Sequence, residues 1–542
     1  MHDFAQAIYD LSTPILLHPN SHNGPFVDCH LDTPFEAPIC SSFYFARGSM
    51  LDQYRRDFAE FNVACAREHY LFQSGQKNTL ELAQIYERYG DLFDRAVMDK
   101  LKGESGATTS QLEALSRGRL FAFAVEQFLE DSVKGLTEDI AQYEAAASID
   151  WMGAEMTFQD ATVVITTEPE RRARSGIYAK RLAVIEASNP LRADRVQKLH
   201  QTACSLGYSS YVDLFEQLRQ LDYSALAGQA ATLLSATERV YAARLDEVLR
   251  SDVGLRIDEA VRADAMYLLH LTSFDDRFPQ HQLLQVYKQT MAGLGIDVNS
   301  QNNIAIDSEP RRRKNPRAFC MPISIPNDIK LVIRPAGGQS DYQSFLHESG
   351  HAQHYGWTSD ALPPEFKYTG DYALTETYAF LFNHLISDGN WLSKFLGLKD
   401  SVEFRRSVML ARLVTVRRYV AKLMYESRLH LGGDLAEAAA LFAEYQTTAT
   451  WFKTDSAESL FDLDDSFYSA SYLRAWAFEV SLREYLKIRF GSRWWASRRS
   501  GTFLKDIWET GDRYTADEMA AQIGIGPICF DSLIEEFNAA LK

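Results

Sequence analysis

The stretch "FLHESGHAQH", Phe345 to His354, holds three of the chain's 13 histidines, with an acid directly after the first and a glycine directly before the second. An α-helix turns about 100° per residue, so His347 and His351 lie about 40° apart on one face and one turn apart along the axis. Two imidazoles so placed can grip one ion. Glu348 is rotated about 100° from His347, which keeps it off the ion yet near enough to take a proton from a water activated there. His354 shares the face but lies about 10 Å along the axis from His347, so the three histidines cannot meet at one metal. It is read as a structural or supporting histidine.

A catalytic zinc takes three protein ligands and keeps one position open, so a third ligand is needed. The favoured candidate is Glu376 in "ALTETYAFLF", 25 positions after His351. Between them Gly356, Pro363-Pro364 and Gly370 supply the turn chemistry to bring a second helix back across the first. Glu365 and Asp371 are rival acids, placed in or beside that loop. The reading predicts one Zn2+ per chain, held by His347, His351 and Glu376, with Glu348 as the general base.

Working outward, the helix is expected to begin after Gly337 and Gly338, with Ser340 and Gln343 as a capping box, Asp341 at its positive end and Gly356 as its stop. Upstream, "NNIAIDSEPRRRKNPRAFCMPISIPNDIKLVIRPAGGQS" offers loop signals and two strand-like runs, Ala318 to Ile325 and Ile329 to Arg334. These predict a small sheet beside the histidine helix. From about Ser49 to Arg250 the pattern is helical, as in "MLDQYRRDFAEFNVACAREHYLF" and "LTEDIAQYEAAASIDWMGAEM". From "DYALTETYAFLFNHLI" onward it is helical again, and Thr515 with Glu518 forms a further capping box. No internal repeat and no Gly, Ser or Pro-rich linker marks a boundary. A mainly α chain follows, divided near residue 300 into an N-terminal helical lobe, 1–300, and a zinc-binding catalytic lobe, 301–542, with the two interwoven.

The chain has 542 residues and a formal net charge of −17, from 56 basic and 73 acidic side chains. That balance repels phosphate backbones and anionic lipid, which argues against nucleic acid and membrane partners. The basic run Arg311-Arg312-Arg313-Lys314 is read as a solvated loop. "MHDFAQAIYDLSTPILLHPN" lacks the positive region of a signal peptide, and Pro14, His18 and Pro19 break its apolar stretch. Six cysteines, Cys29, Cys40, Cys65, Cys204, Cys320 and Cys529, form no C-x-x-C pair. This usage suits a reducing compartment and predicts a cytoplasmic protein.

These residues resemble the thimet oligopeptidase and oligoendopeptidase F family of zinc metallopeptidases. The resemblance rests on "FLHESGHAQH", which matches that family's H-E-x-G-H-x-x-H, and on Glu376 in "ETYAFLFN". It continues in "IDSEPRRRKNPRAFC" and "FYSASYLRAW", and more weakly in "SLGYSSYVDLF" and "WMGAEM". It implies a two-lobed helical fold with a deep central channel, and cleavage of internal bonds in short unstructured peptides. It makes His347, His351 and Glu376 zinc ligands, Glu348 the general base, Tyr472 the donor that stabilises the tetrahedral intermediate, and Tyr468 a neighbour at the substrate. Two departures stand out: "SLFDLDDSFYSASY" has no histidine before its tyrosines, and Asn383 occupies a position where the family often has an acid. Two rival readings remain. A zinc carboxypeptidase or dipeptidyl carboxypeptidase would need a cation for the free C-terminus, for which Arg474 and Arg334 are available. A non-catalytic zinc-containing peptide-binding protein would have no use for Glu348. The strand at Ala318 to Ile325 either offers its edge to an extended peptide or is a buried structural strand.

Overall fold

The computed structural model describes residues 50–105 and 111–542. The stretch read for a signal peptide lies outside the described residues, as do Cys29 and Cys40. The four described cysteines are free, Cys65 and Cys320 buried, Cys204 and Cys529 exposed. No described helix is long and apolar enough to cross a membrane.

The chain is mainly helical. In its first half the principal helices are α1 (Met50–Gln73), α2 (Gln111–Ala146), α3 (Arg171–Ser205) and α4 (Tyr223–Val248). Periodicity explains them: in α2 the buried Leu120, Ala124, Leu129 and Val133 recur at helical spacing and make one apolar stripe. The start of α4 is fixed by Asp222, whose carboxylate accepts from the amide of Ala225. One expectation fails here. "SIDWMGAEMT" does not continue the helix but forms a hairpin, β1 (Ser148–Trp151) against β2 (Ala154–Thr157). Met152 and Gly153, with φ of 55° and 85°, form the two-residue turn, and positive φ at both central positions suits the twist of a tight hairpin.

A second sheet carries β3 (Ile304–Asp307), β4 (Phe319–Ser324) and β5 (Asp328–Val332) in the order β3-β5-β4, with β3 parallel and β4 antiparallel to β5. The two strands read from sequence are β4 and β5, each slightly shorter than expected; β3 is an addition. The basic run between β3 and β4 is not simply solvated. Lys314 is buried with its ammonium on Asp307 Oδ1 at 2.8 Å, and Arg311 pairs with the same carboxylate, leaving Arg312 and Arg313 exposed. Asp307, at the end of β3, is thus what converts half of the charge run into an anchor.

Helix α5 (Gln339–Trp357) carries the histidines and follows the sheet directly. Its ends differ from expectation. It begins at Gln339, so Ser340 is not its cap; Asp275, 64 residues upstream, accepts from the Gln339 amide at 3.0 Å. Asp341 turns back to accept from the amides of Ala336 and Gly337. Gly356 sits inside the last turn, and the helix stops at Thr358, whose amide and hydroxyl both donate to the carbonyl of His354. Tertiary partners have replaced the local cap. Thr515, by contrast, caps its short helix with Glu518 as read.

After α5 come α6 (Tyr372–Asn383), α7 (Val402–Leu429), α8 (Leu435–Thr450) and α9 (Tyr468–Phe490). One apolar core joins the helices of the first half with Leu413 and Val420 of α7, Leu473 of α9 and Phe537 near the C-terminus. A second core lies under α5 and the three-stranded sheet and includes Phe345, Leu381, Ile329 and Trp508. Helix α9 serves both, with Trp476 in the first and Phe478 and Leu482 in the second. It therefore ties the site to both bodies of packing.

Candidate metal centre

Helices α5 and α6 cross in close contact at Gly350. A Cβ there would stand 2.5 Å from the carbonyl oxygen of Tyr378 and 2.6 Å from Cα of Ala379, so any side chain would force the helices apart. The glycine of "HESGH" thus lets the second helix reach the first. Asp371 fixes the start of α6 by accepting from the Ala373 amide, and Glu376 emerges one turn later toward the histidines. The ligand atoms of His347, His351 and Glu376 lie within 4.8 Å of one another. Oε2 of Glu376 is 3.3 Å from Nε2 of His347, and Oε1 is 3.7 Å from Nε2 of His351.

Two imidazole nitrogens and a carboxylate oxygen are a donor set suited to zinc. The fit is supported by Glu376 itself, because its buried Oε2 is met only by the His347 imidazole at 3.3 Å, with no other donor on it among the described residues, an undersatisfied state that a coordinated ion would relieve. His347 keeps 15% of its side chain exposed against 4% for His351, so the centre is open on the His347 side.

The surrounding hydrogen bonds fix the three groups. The hydroxyl of Tyr468 donates to Oε1 of Glu376 at 2.7 Å, so this tyrosine, assigned to the substrate by resemblance, holds a member of the His-His-Glu group. Thr375 Oγ1 lies 2.8 Å from Nδ1 of His351 and 3.2 Å from Nδ1 of His354, and donates to the Tyr355 hydroxyl at 3.3 Å. His354 is therefore outside the ligand set and one hydrogen-bonding group removed from it. Burial pushes His351 down to about 4, with Glu376 acting the other way, and burial pushes His354 to about 3. Both stay neutral at pH 7, which for His351 is the form a nitrogen ligand needs. For His347 burial also disfavours the charge, but the hydrogen bond and charge of Glu376 more than offset it, and the group is raised. Glu376 is lowered because His351, His347 and Tyr468 together outweigh its burial.

Glu348 lies beside this cluster. Burial, resisted by His347, pushes its carboxyl up to about 7, and its Oε2 accepts from the Cys320 amide of β4 at 2.8 Å. A carboxyl titrating there is matched to proton transfer near neutral pH. Tyr472 belongs to an aromatic wall: its ring stacks on Trp476 at 5.7 Å and meets Tyr468 edge-on at 5.1 Å. Phe380, 5.7 Å from Tyr472, is in turn 5.1 Å from the His347 ring. Just before α9, Ser466 and Phe467 adopt φ of 59° and 58°, a left-handed turn that leads into the helix and directs Tyr468 at Glu376.

The rival acids are engaged elsewhere. Glu365 pairs with Arg55 at 2.8 Å and accepts from Ser116; Asp371 pairs with Arg474 at 2.8 Å. Arg474 also pairs with Asp517 at 2.6 Å, and Arg334 is exposed just beyond β5. Asn383 closes α6, two turns past Glu376. Thr375, the Tyr468 contact and the Cys320 amide were not foreseen. Only Thr375 left a trace, as a hydroxyl directly preceding the candidate ligand.

Fold and site together define a mainly helical protein with a His-His-Glu group able to hold a metal ion and an adjacent carboxylate. Solved structures share the fold. A candidate oligoendopeptidase F from Bacillus anthracis strain Ames superposes with a TM-score of 0.61 at 15% identity, covering 91% of this chain and 93% of its own. Another candidate oligoendopeptidase F gives 0.66 at 15% identity, with coverages of 92% and 93%. Pz peptidase A, solved with an inhibitor, gives 0.63 at 14% identity, with coverages of 92% and 98%. No protein-family model matches the sequence, and no curated protein matches it either. The likeness is carried by the fold, to which the expected family resemblance corresponds.

Proposed function

We propose that the protein is a zinc-dependent oligopeptidase that hydrolyses internal bonds of short unstructured peptides, one zinc per chain held by His347, His351 and Glu376. The observation that carries this reading is the convergence of those three groups beside a buried Glu348, on a fold shared with oligoendopeptidase F structures. Bound zinc polarises a carbonyl and makes water acidic enough to ionise near neutral pH. Glu348 takes the proton of the attacking water and returns it to the leaving amine, with the Cys320 amide fixing its carboxylate. Tyr472 donates to the oxyanion, while Tyr468 and Thr375 hold Glu376 and His351 in place.

β4 is an edge strand, and its Phe319 to Pro322 segment borders a small cavity shared with Tyr355 and Tyr372. An extended peptide laid there would pass beside Glu348, in a channel between the helices of the first half and the metal centre. Peptides of about ten residues span roughly 35 Å extended, whereas a folded domain offers no free strand. The free cysteines agree with a reducing, cytoplasmic setting.

Glu348→Gln tests the mechanism. It is expected to keep one zinc per chain and the native fold while turnover of a short peptide falls by roughly 10²–10⁴-fold. A near-normal rate would remove Glu348 from the reaction.

A further inference from the structure

A cavity of about 540 Å³ opens between α2, the segment after Leu218 and the start of α9, and it reaches the metal centre through two tyrosines. Tyr372 lines it, and the Tyr372 ring stands 5.2 Å from that of Tyr468, whose hydroxyl is on Glu376. Its charged walls are mostly committed. Arg219 lies 3.0 Å from Glu126, Arg474 is bound by Asp371 and Asp517, and Lys102 is exposed at the rim. Arg119 differs. It is half-buried, and among the described residues no hydrogen bond or ion pair engages its guanidinium.

The acids that face Arg119 do so from a distance. They are Asp512, Asp371 and Glu518. Asp371 is already neutralised by Arg474. Asp512 lines the adjoining cavity by β4, with a carboxyl that burial, resisted by Arg119, pushes up to about 7, so that it is only partly charged at neutral pH. A guanidinium withdrawn from bulk water, lacking a carboxylate in contact, is matched to an arriving one: its planar fork binds a carboxylate through two parallel hydrogen bonds. An extended peptide lying along β4 and entering this cavity carries one carboxylate that every sequence shares, its C-terminus.

We propose that Arg119 anchors the C-terminal carboxylate of the peptide substrate, so that the position of the cut is counted from the free end of the chain. This rests on the peptidase reading above. Between the cavity that Arg119 and Tyr372 line and Glu376 stand the Tyr372 and Tyr468 rings, with centroids 5.2 Å apart, a separation larger than the roughly 3.5 Å that one extended residue spans. More than one residue therefore separates the cut from the C-terminus, which keeps the reaction distinct from removal of single residues.

The test uses zinc-loaded Glu348→Gln protein and one octapeptide, labelled with fluorescein at its N-terminus, as free acid and as C-terminal amide. Fluorescence anisotropy is expected to show the acid bound at least about tenfold more tightly, Arg119→Gln in the same background to bring the ratio within about twofold of one, and Arg119→Lys to keep part of it. Equal affinity for acid and amide with Arg119 intact, or a ratio that survives Arg119→Gln, would overturn the anchor. The first comparison leaves position 119 untouched, so it decides even if Arg119→Gln fails to fold. Turnover by the wild-type protein separates the two readings. Cleavage of both peptides without preference for the acid overturns the anchor alone, whereas tight binding of the acid without cleavage of either peptide overturns the peptidase reading.

Discussion

Glu376 on α6 and Glu479 on α9 are both buried carboxylates, and their surroundings are opposite. Glu479 accepts from Arg483 Nε on one oxygen and from Arg412 Nη2 on the other, each at 2.7 Å, and both arginines also reach Glu536. Its burial is outweighed by the two guanidinium charges, and its pKa is lowered. Among the described residues Glu376 meets no arginine or lysine in contact; it has one tyrosine on Oε1 and two imidazoles nearby, with only His347, at 3.3 Å, on Oε2. A saturated buried charge is architecture. An unsaturated one, held in place by its neighbours, is capacity kept for an ion.

Exchanging the two losses is the strongest way to break this contrast. Glu479→Gln removes the buried charge between Arg412 and Arg483, whose remaining shared contact is Glu536, and is expected to cost about 3–5 kcal/mol of stability, with zinc content unchanged. Glu376→Ala is expected to cost the metal-free protein much less, yet to lower zinc affinity by more than the roughly 10–100-fold typical of outer hydrogen-bond partners. Denaturant unfolding and chelator competition measure the two effects. Equal destabilisation with retained zinc in both variants would erase the distinction.

A finer test moves one group outward. Thr375→Val keeps the shape of the side chain but removes the oxygen that Nδ1 of His351 meets, so zinc affinity is expected to fall by roughly 10–100-fold, and Thr375→Ser to restore most of it. An unchanged affinity in Thr375→Val would leave the threonine a packing residue.

The smallest effect concerns Asp371, which like Glu479 is a saturated acid. Its burial is outweighed by Arg474, with the Ala516 and Ala373 amides adding to the effect, and its pKa is lowered to about 2. A depressed carboxyl stabilises the fold above its unfolded pKa of about 4, and loses that contribution as pH falls toward 2. Asp371→Asn is therefore expected to cost about 2 kcal/mol at pH 7, with the difference from wild type shrinking as pH drops below 4. A constant difference from pH 7 to pH 3 would assign the loss to packing.

The histidine pair was legible because helical geometry alone relates His347 to His351, and Glu376 because turn residues between it and His351 allow a second helix to return. Gly350 could be named from sequence but not explained, since its role is defined by Tyr378 and Ala379 on a helix packed across it. Other features depended on partners far along the chain. Asp275 caps α5, Asp307 anchors Lys314, and Tyr468 reaches across 92 residues to Glu376. The hairpin at Met152-Gly153 was hidden for a local reason, because methionine is an uncommon residue at positive φ and the flanking pattern also suits a helix.

The proposed role of the His-His-Glu cluster is that of a peptide-cutting centre. Mass spectrometry of a mixed library of short peptides tests it most directly, with zinc-loaded protein, chelated protein and chelated protein resupplied with zinc. Internal cuts are expected with the loaded protein, none after chelation, and the same cut sites on reconstitution. Full zinc loading with every peptide left intact, or cutting that persists without the metal, would contradict it.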